Sequence, residues 1–290
     1  MSIGVDICGI HFKNPVIAAS GTFGFGKEFA DYIDLDKLGG ICSKGLTLNK
    51  NLGNAGIRIH ETPSGIMNSI GLQNPGIEYF VNEELPFLLS KETVTIANLG
   101  GHSVEDYVEG AIILEKTNVP MIELNISCPN VKEGGMAFGT NPTKASEVIS
   151  KVRKETKKPL IVKLSPNIGS IPDFAKLAED NGADAISLVN TFNAMAIDIN
   201  TKAPVFVNKT AGLSGPAIKP IALRMVYEAA HAVDIPVIGM GGIMDYKDAL
   251  EFIMVGASAI QVGTANFVDY NTMIDVADGI EKYLEENNIE

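Results

Sequence analysis

Ser20, Lys44, Asn98, Asn125, Lys163, Asn190, the pair Gly241–Gly242 and the pair Gly263–Thr264 share one place in the sequence pattern. Each closes a short run of apolar residues. Two ammonium groups and three carboxamides, brought to one point, could grip a large, polar, electron-rich ligand. Paired glycines let a backbone approach a phosphate closely enough for peptide N–H groups to hold it. Three positions after Asn125 stands Cys128, in NISCPN (125–130), with Pro129 fixing the chain direction behind it. A thiol at the mouth of a strand is either a small packing residue or a reagent. Its unperturbed pKa of ~8.5 lets it accept a proton near neutral or alkaline pH, and nearby lysine charge favours the thiolate.

These residues act together only if the apolar runs place them at one end of one assembly. The runs lie at 14–20, 39–45, 93–100, 119–127, 158–165, 181–190, 235–242 and 255–264. Several begin at proline, which ends a helix and opens a strand without needing its own N–H. Two follow Gly182 and Gly256, which read as helix C-caps. The runs are continuously apolar rather than alternating, as expected of parallel strands buried on both faces. Helical patterns fall between most of them. One spans 103–116 with Ser103 as N-cap, one starts at Thr143 and runs to 156, and 172–180 carries Pro172 in its first turn. Others span 217–232, 245–255 after Asp245, and 271–286. Eight strands alternating with helices predict an α/β fold, a (β/α)₈ TIM barrel forming a single domain over 1–290. The opening VDICGIHFKN predicts an N-terminal hairpin across the barrel bottom. Two connections, 46–92 and 191–216, exceed a plain link and read as functional loops inserted at the carboxyl face of the strands. In this fold chemistry sits at the carboxyl ends of the strands, with phosphate bound after strands seven and eight. GMGG (239–242) and VGT (262–264) occupy those two places.

Composition excludes several classes. The formal charge is −12 and the basic residues are scattered, so nucleic acid finds no positive footprint. There is no apolar run of ~20 residues to span a membrane. The opening MSIGVDICGI lacks the basic-then-apolar pattern of a secretory signal. Three dispersed cysteines predict free thiols in a reducing compartment, hence a cytoplasmic location. Of these, Cys8 and Cys42 read as packing residues. His11, His60, His102 and His231 have no metal spacing, and three cysteines cannot hold an ordinary iron–sulfur cluster, so no metal is expected in this chain. GFGKEF (24–29) puts Phe29 where a dinucleotide fingerprint needs a small residue. On residue types alone, Lys163 is open to two uses. It could lie beside a flavin ring, where it stabilises negative charge on reduction, or form the Schiff base of an aldolase- or lyase-like phosphate-binding barrel. The second leaves the asparagines unexplained.

Longer blocks carry a resemblance. ASGTFGFG, NSIGLQNPG, ELNISCPNVKEGGMAFG, VKLSPN, NKTAGLSGPAIKPIALRMVYE and GMGGI occur in order over about residues 5 to 270, nearly the whole chain, and look like the dihydroorotate dehydrogenase family. Cysteine at 128 resembles class 1, and EGGMAFG with NSIGLQNPG resembles its 1B branch. The resemblance implies oxidation of (S)-dihydroorotate to orotate in pyrimidine (UMP) biosynthesis, with Cys128 removing the C5 proton and a hydride passing from C6 to N5 of FMN. It implies one FMN per chain, contacted by Ser20, Lys44, Gly45, Asn98, Asn125, Lys163 and Val189, with its phosphate at Gly215, Gly241, Gly242, Gly263 and Thr264. Substrate would meet Lys44, Asn68, Ser69, Ile70, Gly71, Leu72, Asn125, Asn190 and Thr191, under a lid formed by KEGGMAFG. It further implies a partner subunit carrying FAD and a [2Fe–2S] cluster that passes electrons to NAD⁺, in an α₂β₂ heterotetramer built on a catalytic homodimer. A class 1A-like homodimer reducing fumarate, or a module that only relays electrons, would share many of these residues.

Overall fold

The computed structural model describes residues 3–127 and 136–289. The chain enters as an antiparallel hairpin of β1 (Val5–Ile7) and β2 (Ile10–Phe12). Then come β3 (Val16–Ala18) and β4 (Gly40–Cys42), followed by a second hairpin, β5 (Ile59–Thr62) and β6 (Gly65–Asn68). A helical stretch follows: α1 (Ile77–Tyr79), a π-helical turn (Phe80–Glu84) and α2 (Leu85–Leu89). Next are β7 (Val94–Leu99), α3 (Val104–Glu115), β8 (Met121–Asn125), α4 (Met136–Gly139), α5 (Pro142–Glu155), β9 (Leu160–Lys163), α6 (Ile171–Asp180) and β10 (Ala185–Leu188). Four short strands intervene: β11 (Phe192–Met195), β12 (Ile197–Asp198), β13 (Ala203–Pro204) and β14 (Thr210–Ser214). The chain ends through α7 (Lys219–Ala230), β15 (Val237–Met240), α8 (Tyr246–Met254), β16 (Ala259–Val262) and α9 (Thr272–Asn287).

Strands β3, β4, β7, β8, β9, β10, β15 and β16 close into a parallel eight-stranded barrel in that order. They are the eight apolar runs of the sequence, so the (β/α)₈ expectation holds. Two details differ. Between β3 and β4 the described structure has only 3₁₀ turns, Lys27–Phe29 and Leu35–Lys37, because Gly24 and Gly26 take positive φ and bend the segment. Helix α5 begins at Pro142 rather than Thr143, with the Asn141 side chain accepting from the Lys144 N–H as its cap.

The pleat sorts the strands into an outer and an inner face. Outward residues such as Ala18, Ile41, Ala97, Leu124, Val162, Ile186 and Ile260 are buried against the helices. Inward, Ile17, Cys42, Ile96, Met121, Ile161, Ala185, Ile238 and Ala259 form one apolar layer, closed from below by Ile7 and Phe12 of the first hairpin. The next inward position on each strand lies two residues on. There stand Ala19, Lys44, Asn98, Glu123, Lys163, Ser187, Met240 and Gln261. One step along the barrel axis thus changes the interior from hydrocarbon to largely polar groups.

The two long connections are not plain loops. Their strands build a four-stranded antiparallel sheet in the order β11-β14-β6-β5, joining segments more than 140 residues apart through pairs such as Asn68 with Gly212. β14 passes so close to Gly65 that a Cβ there would lie 2.1 Å from the Ser214 carbonyl oxygen.

Candidate active site

The carboxyl ends of the barrel strands enclose a cavity of about 340 Å³, within the size range of small-molecule sites. Lys44, Lys163, Met240 and Gln261 of the polar layer line it, with Asn125 one level higher. Ser20, Gly45, Val189, Asn190 and Thr191 line it where the chain leaves the strands. Gly215, Gly241, Gly242, Gly263 and Thr264 line one side, and Asn68, Ile70, Gly71 and Leu72 come from the end of β6 and the loop after it. Of the residues singled out in the sequence, Asn98 and Ser69 lie behind this lining. Asn98 is fully buried beneath Asn125, and Ser69 accepts from the side-chain amides of Asn54 and Asn208. Cys128 and residues 129–135 lie outside the described residues. The rest of the expected lid forms α4, whose Phe138 ring packs edge-on against Tyr107 at 5.8 Å.

One hydrogen-bonded chain runs from the rim to the barrel centre. The Asn190 amide donates to Ser127 Oγ at 2.9 Å, and the Ser127 hydroxyl donates to Asn125 Oδ1 at 3.0 Å. Asn125 Nδ2 donates to Asn98 Oδ1 at 3.2 Å, and Asn98 Nδ2 to Glu123 Oε1 at 2.6 Å. The Tyr107 hydroxyl donates to the Asn125 carbonyl at 2.9 Å and pins the end of β8. Glu123 also accepts from Lys163 Nζ at 3.3 Å, Cys42 Sγ at 3.2 Å, Ser187 Oγ at 2.9 Å and Gln261 Nε2 at 2.7 Å. Burial pushes the Glu123 carboxyl up. The Lys163 ammonium and the hydrogen bonds from Gln261, Ser187 and Cys42 outweigh it and hold the group below the usual carboxylate range. The Cys42 thiol moves the other way, raised well above its ordinary value by burial and by the Glu123 charge. It packs in the apolar layer and serves as a donor.

On the glycine side, Gly215, Gly241 and Gly242 have φ of 106°, 128° and 80°. A Cβ on Gly215 would stand 2.6 Å from the Gly65 Cα, and one on Gly242 2.9 Å from the Gly215 carbonyl oxygen. Backbone therefore packs on backbone, with Thr264 Oγ1 donating to Ser214 Oγ at 2.9 Å across the two turns. This geometry brings peptide groups to that end of the cavity, beside the side chains of Ser214, Ile218 and Thr264.

A comparison with protein families decides the kinship: the sequence model described as dihydroorotate dehydrogenase matches residues 2–284. The chain belongs to the dihydroorotate dehydrogenase family. It is 61% identical over 285 residues to a protein of Petrotoga mobilis named dihydroorotate dehydrogenase B (NAD(+)), catalytic subunit, covering 98% of this chain and 95% of that one. Proteins of the same name from Thermoanaerobacter pseudethanolicus and Bacteroides fragilis are each 56% identical, covering 100% and 98% of this chain and 96% and 94% of theirs.

Membership of the dihydroorotate dehydrogenase family implies a flavin, and the cavity fits one. Its glycine-lined end suits a phosphate, and its polar layer suits a ring system rich in heteroatoms. Gln261 Oε1 is a buried acceptor with no hydrogen-bond partner among the described residues, while the opposite nitrogen of that amide is held by Glu123. Such a lone acceptor suits a ring N–H. The Lys163 ammonium, paired with a carboxylate, is poorly suited to the Schiff-base alternative, which needs a neutral amine. Four contributors escaped the sequence reading: Glu123, Ser127, Ser187 and Gln261. Glu123 carried a signal, being a charged residue two positions before Asn125 inside an apolar run, and so on the same strand face. Ser187 and Gln261 carried the same period-two relation to the apolar layer. Among the described residues no helix is long and apolar enough to cross a membrane, and no group of three or more His, Cys, Asp or Glu could hold a metal ion.

Proposed function

We propose that this chain, as one domain, is the FMN-carrying catalytic subunit of a cytoplasmic, NAD⁺-linked dihydroorotate dehydrogenase, oxidising (S)-dihydroorotate to orotate. The observation that supports it most is the convergence of Lys44, Asn68, Asn125, Lys163, Asn190 and the glycine turns on one cavity, in a chain 61% identical to a protein of that name. FMN, when bound, supplies the acceptor for the hydride that leaves the substrate. Lys163, Lys44 and Asn125 would face its ring from the barrel interior, with Ser20, Gly45 and Val189 beside it, and Gly215, Gly241, Gly242, Gly263 and Thr264 would hold its phosphate. Asn98 acts through Asn125.

The carboxamides of Asn68, Asn125 and Asn190 would grip the pyrimidine edge, with Thr191 adjacent. Lys44 and the backbone of Ile70, Gly71 and Leu72 would hold the substrate carboxylate, and Ser69 would fix that loop from behind. Cys128 would take the C5 proton as general base, a role that rests on the family pattern. The relatives' name, catalytic subunit, supports a second, electron-transfer subunit. We assign FAD and a [2Fe–2S] cluster to it, in an α₂β₂ assembly built on a homodimer of this chain.

The test is anaerobic. Dihydroorotate added to the purified chain alone should bleach the flavin absorbance without NAD⁺. A flavin that stays oxidised with and without the partner subunit would overturn the substrate assignment. Cys128→Ala should keep its FMN and lose about 10²–10⁴-fold in bleaching rate at neutral pH. A near-normal rate would remove Cys128 as the base.

A further inference from the structure

Glu123 is fully buried at the barrel centre and accepts from five other strands at once: Cys42 of β4, Asn98 of β7, Lys163 of β9, Ser187 of β10 and Gln261 of β16. It does not line the cavity, whereas Lys163 and Gln261 do. We propose that Glu123 is the positioning residue of the flavin site, keeping the Lys163 ammonium charged and aimed at the cofactor and orienting Gln261 so that its oxygen faces the cavity. This rests on the FMN reading above.

Lys163 is only 4% exposed, so little water reaches its charge. A lysine buried without a counter-ion favours the neutral amine. Among the described residues, Glu123 is the carboxylate within reach, at 3.3 Å. The other titratable groups nearby among the described residues are Cys42, a hydrogen-bond donor to the same carboxylate, and Lys44, which lines the same cavity. The Cys42 thiol supplies no negative charge while its proton stays on, and a lysine is never an anion. The Gln261 amide is read the same way. Glu123 accepts only, so the nitrogen must turn inward and the oxygen toward the cavity. Glu123→Gln keeps the shape but removes the charge and places an N–H against a ring of donors.

The experiment measures FMN affinity of the full-length apoprotein by quenching of flavin fluorescence from pH 7 to 9, above the second ionisation of a phosphate monoester at ~6. Wild type should show no step across this window. Glu123→Gln should bind more weakly and acquire a step, about tenfold weaker at pH 9 than at pH 7, as Lys163 loses its proton. Adding Lys163→Met to that variant should remove the step. An E123Q chain that is weaker by the same factor at every pH, or a step that survives Lys163→Met, would reduce Glu123 to a packing role. If E123Q does not fold, the decision falls to wild type and Glu123→Asp, which keeps the charge. Both must be flat from pH 7 to 9, and a step in either overturns the proposal. A wild-type chain that takes up no FMN at any pH overturns the cofactor reading. A wild type that binds FMN, beside an E123Q that titrates identically, overturns the inference alone.

Discussion

The amide of Asn190 reaches the hydroxyl of Ser127 at 2.9 Å, across 63 positions of sequence. Ser127 is fully buried and passes the contact on to Asn125. A residue that cannot touch substrate thereby orients two that we place against it. Asn190 is held at its other end too, since its Oδ1 accepts from the Thr191 N–H at 2.7 Å. Ser127→Ala would take this acceptor from the Asn190 amide and leave Asn125 Oδ1 with only the Ser127 N–H at 3.2 Å, a loss of about 1–3 kcal/mol. Steady-state kinetics should show KM for dihydroorotate raised about tenfold or more, with FMN content unchanged. A variant with wild-type KM would mean that the Asn190 side chain is fixed by Thr191 alone.

Gly242 sits where a side chain has no room. Its φ is 80°, and a Cβ would come within 2.8 Å of the Lys219 Cβ and 2.9 Å of the Gly215 carbonyl oxygen. Gly242→Ala should lower stability by about 1–3 kcal/mol and open the phosphate turn. Gly169→Ala is the control, since nothing stands within 4 Å of a Cβ there. Melting curves and flavin content measured together decide it. Equal behaviour of the two variants would argue against a tight glycine cradle.

The thiols of Cys8 and Cys42 should be poor targets for alkylation. Burial and the nearby Asp184 carboxylate raise Cys8 to about 11, so at pH 8 its thiolate fraction is roughly a hundredfold below that of an unperturbed thiol. Cys42 is enclosed in the barrel, and burial and the Glu123 charge raise it as well. Timed iodoacetamide labelling read by mass spectrometry should find both slow in the native chain and fast after unfolding. Rapid native labelling of Cys42 would mean that the barrel interior opens readily.

Acid should act through Glu123. Its folded-state carboxyl is held below the usual range despite burial, chiefly by Lys163. A carboxylate depressed on folding adds stability that is fully present above its unfolded value of ~4.3 and is lost as pH falls through the folded value. Protonation also strips Lys163 of its counter-ion. The melting temperature of wild type should therefore fall more steeply below pH 4 than that of Glu123→Gln. Parallel acid profiles would show that the pair has no net linkage to folding.

Much of this was legible in the chain because it follows from local chemistry. Eight apolar runs, several with proline before them, marked the barrel strands, since proline and continuous β-branched sequence leave few other conformations open. Residues closing those runs had to gather at one end, because parallel strands in a closed barrel all point the same way. Lys44, Asn125, Lys163, Asn190 and the glycine turns accordingly line one cavity. The strands within 46–92 and 191–216 were not legible, because β6 and β14 pair across more than 140 residues, a partnership that no local pattern announces.

The sequence by itself determined the strands, their direction and the end at which chemistry gathers, because these depend on period, propensity and chain continuity. The tertiary structure alone decided which polar groups meet inside the barrel. Lys163, Asn98, Ser187, Gln261 and Cys42 come from five strands and find Glu123 only when the sheet closes and stagger brings their inward positions to one level. A buried carboxylate is stable only with such partners around it. Burial and convergence belong to the closed barrel, and no single stretch of sequence contains them.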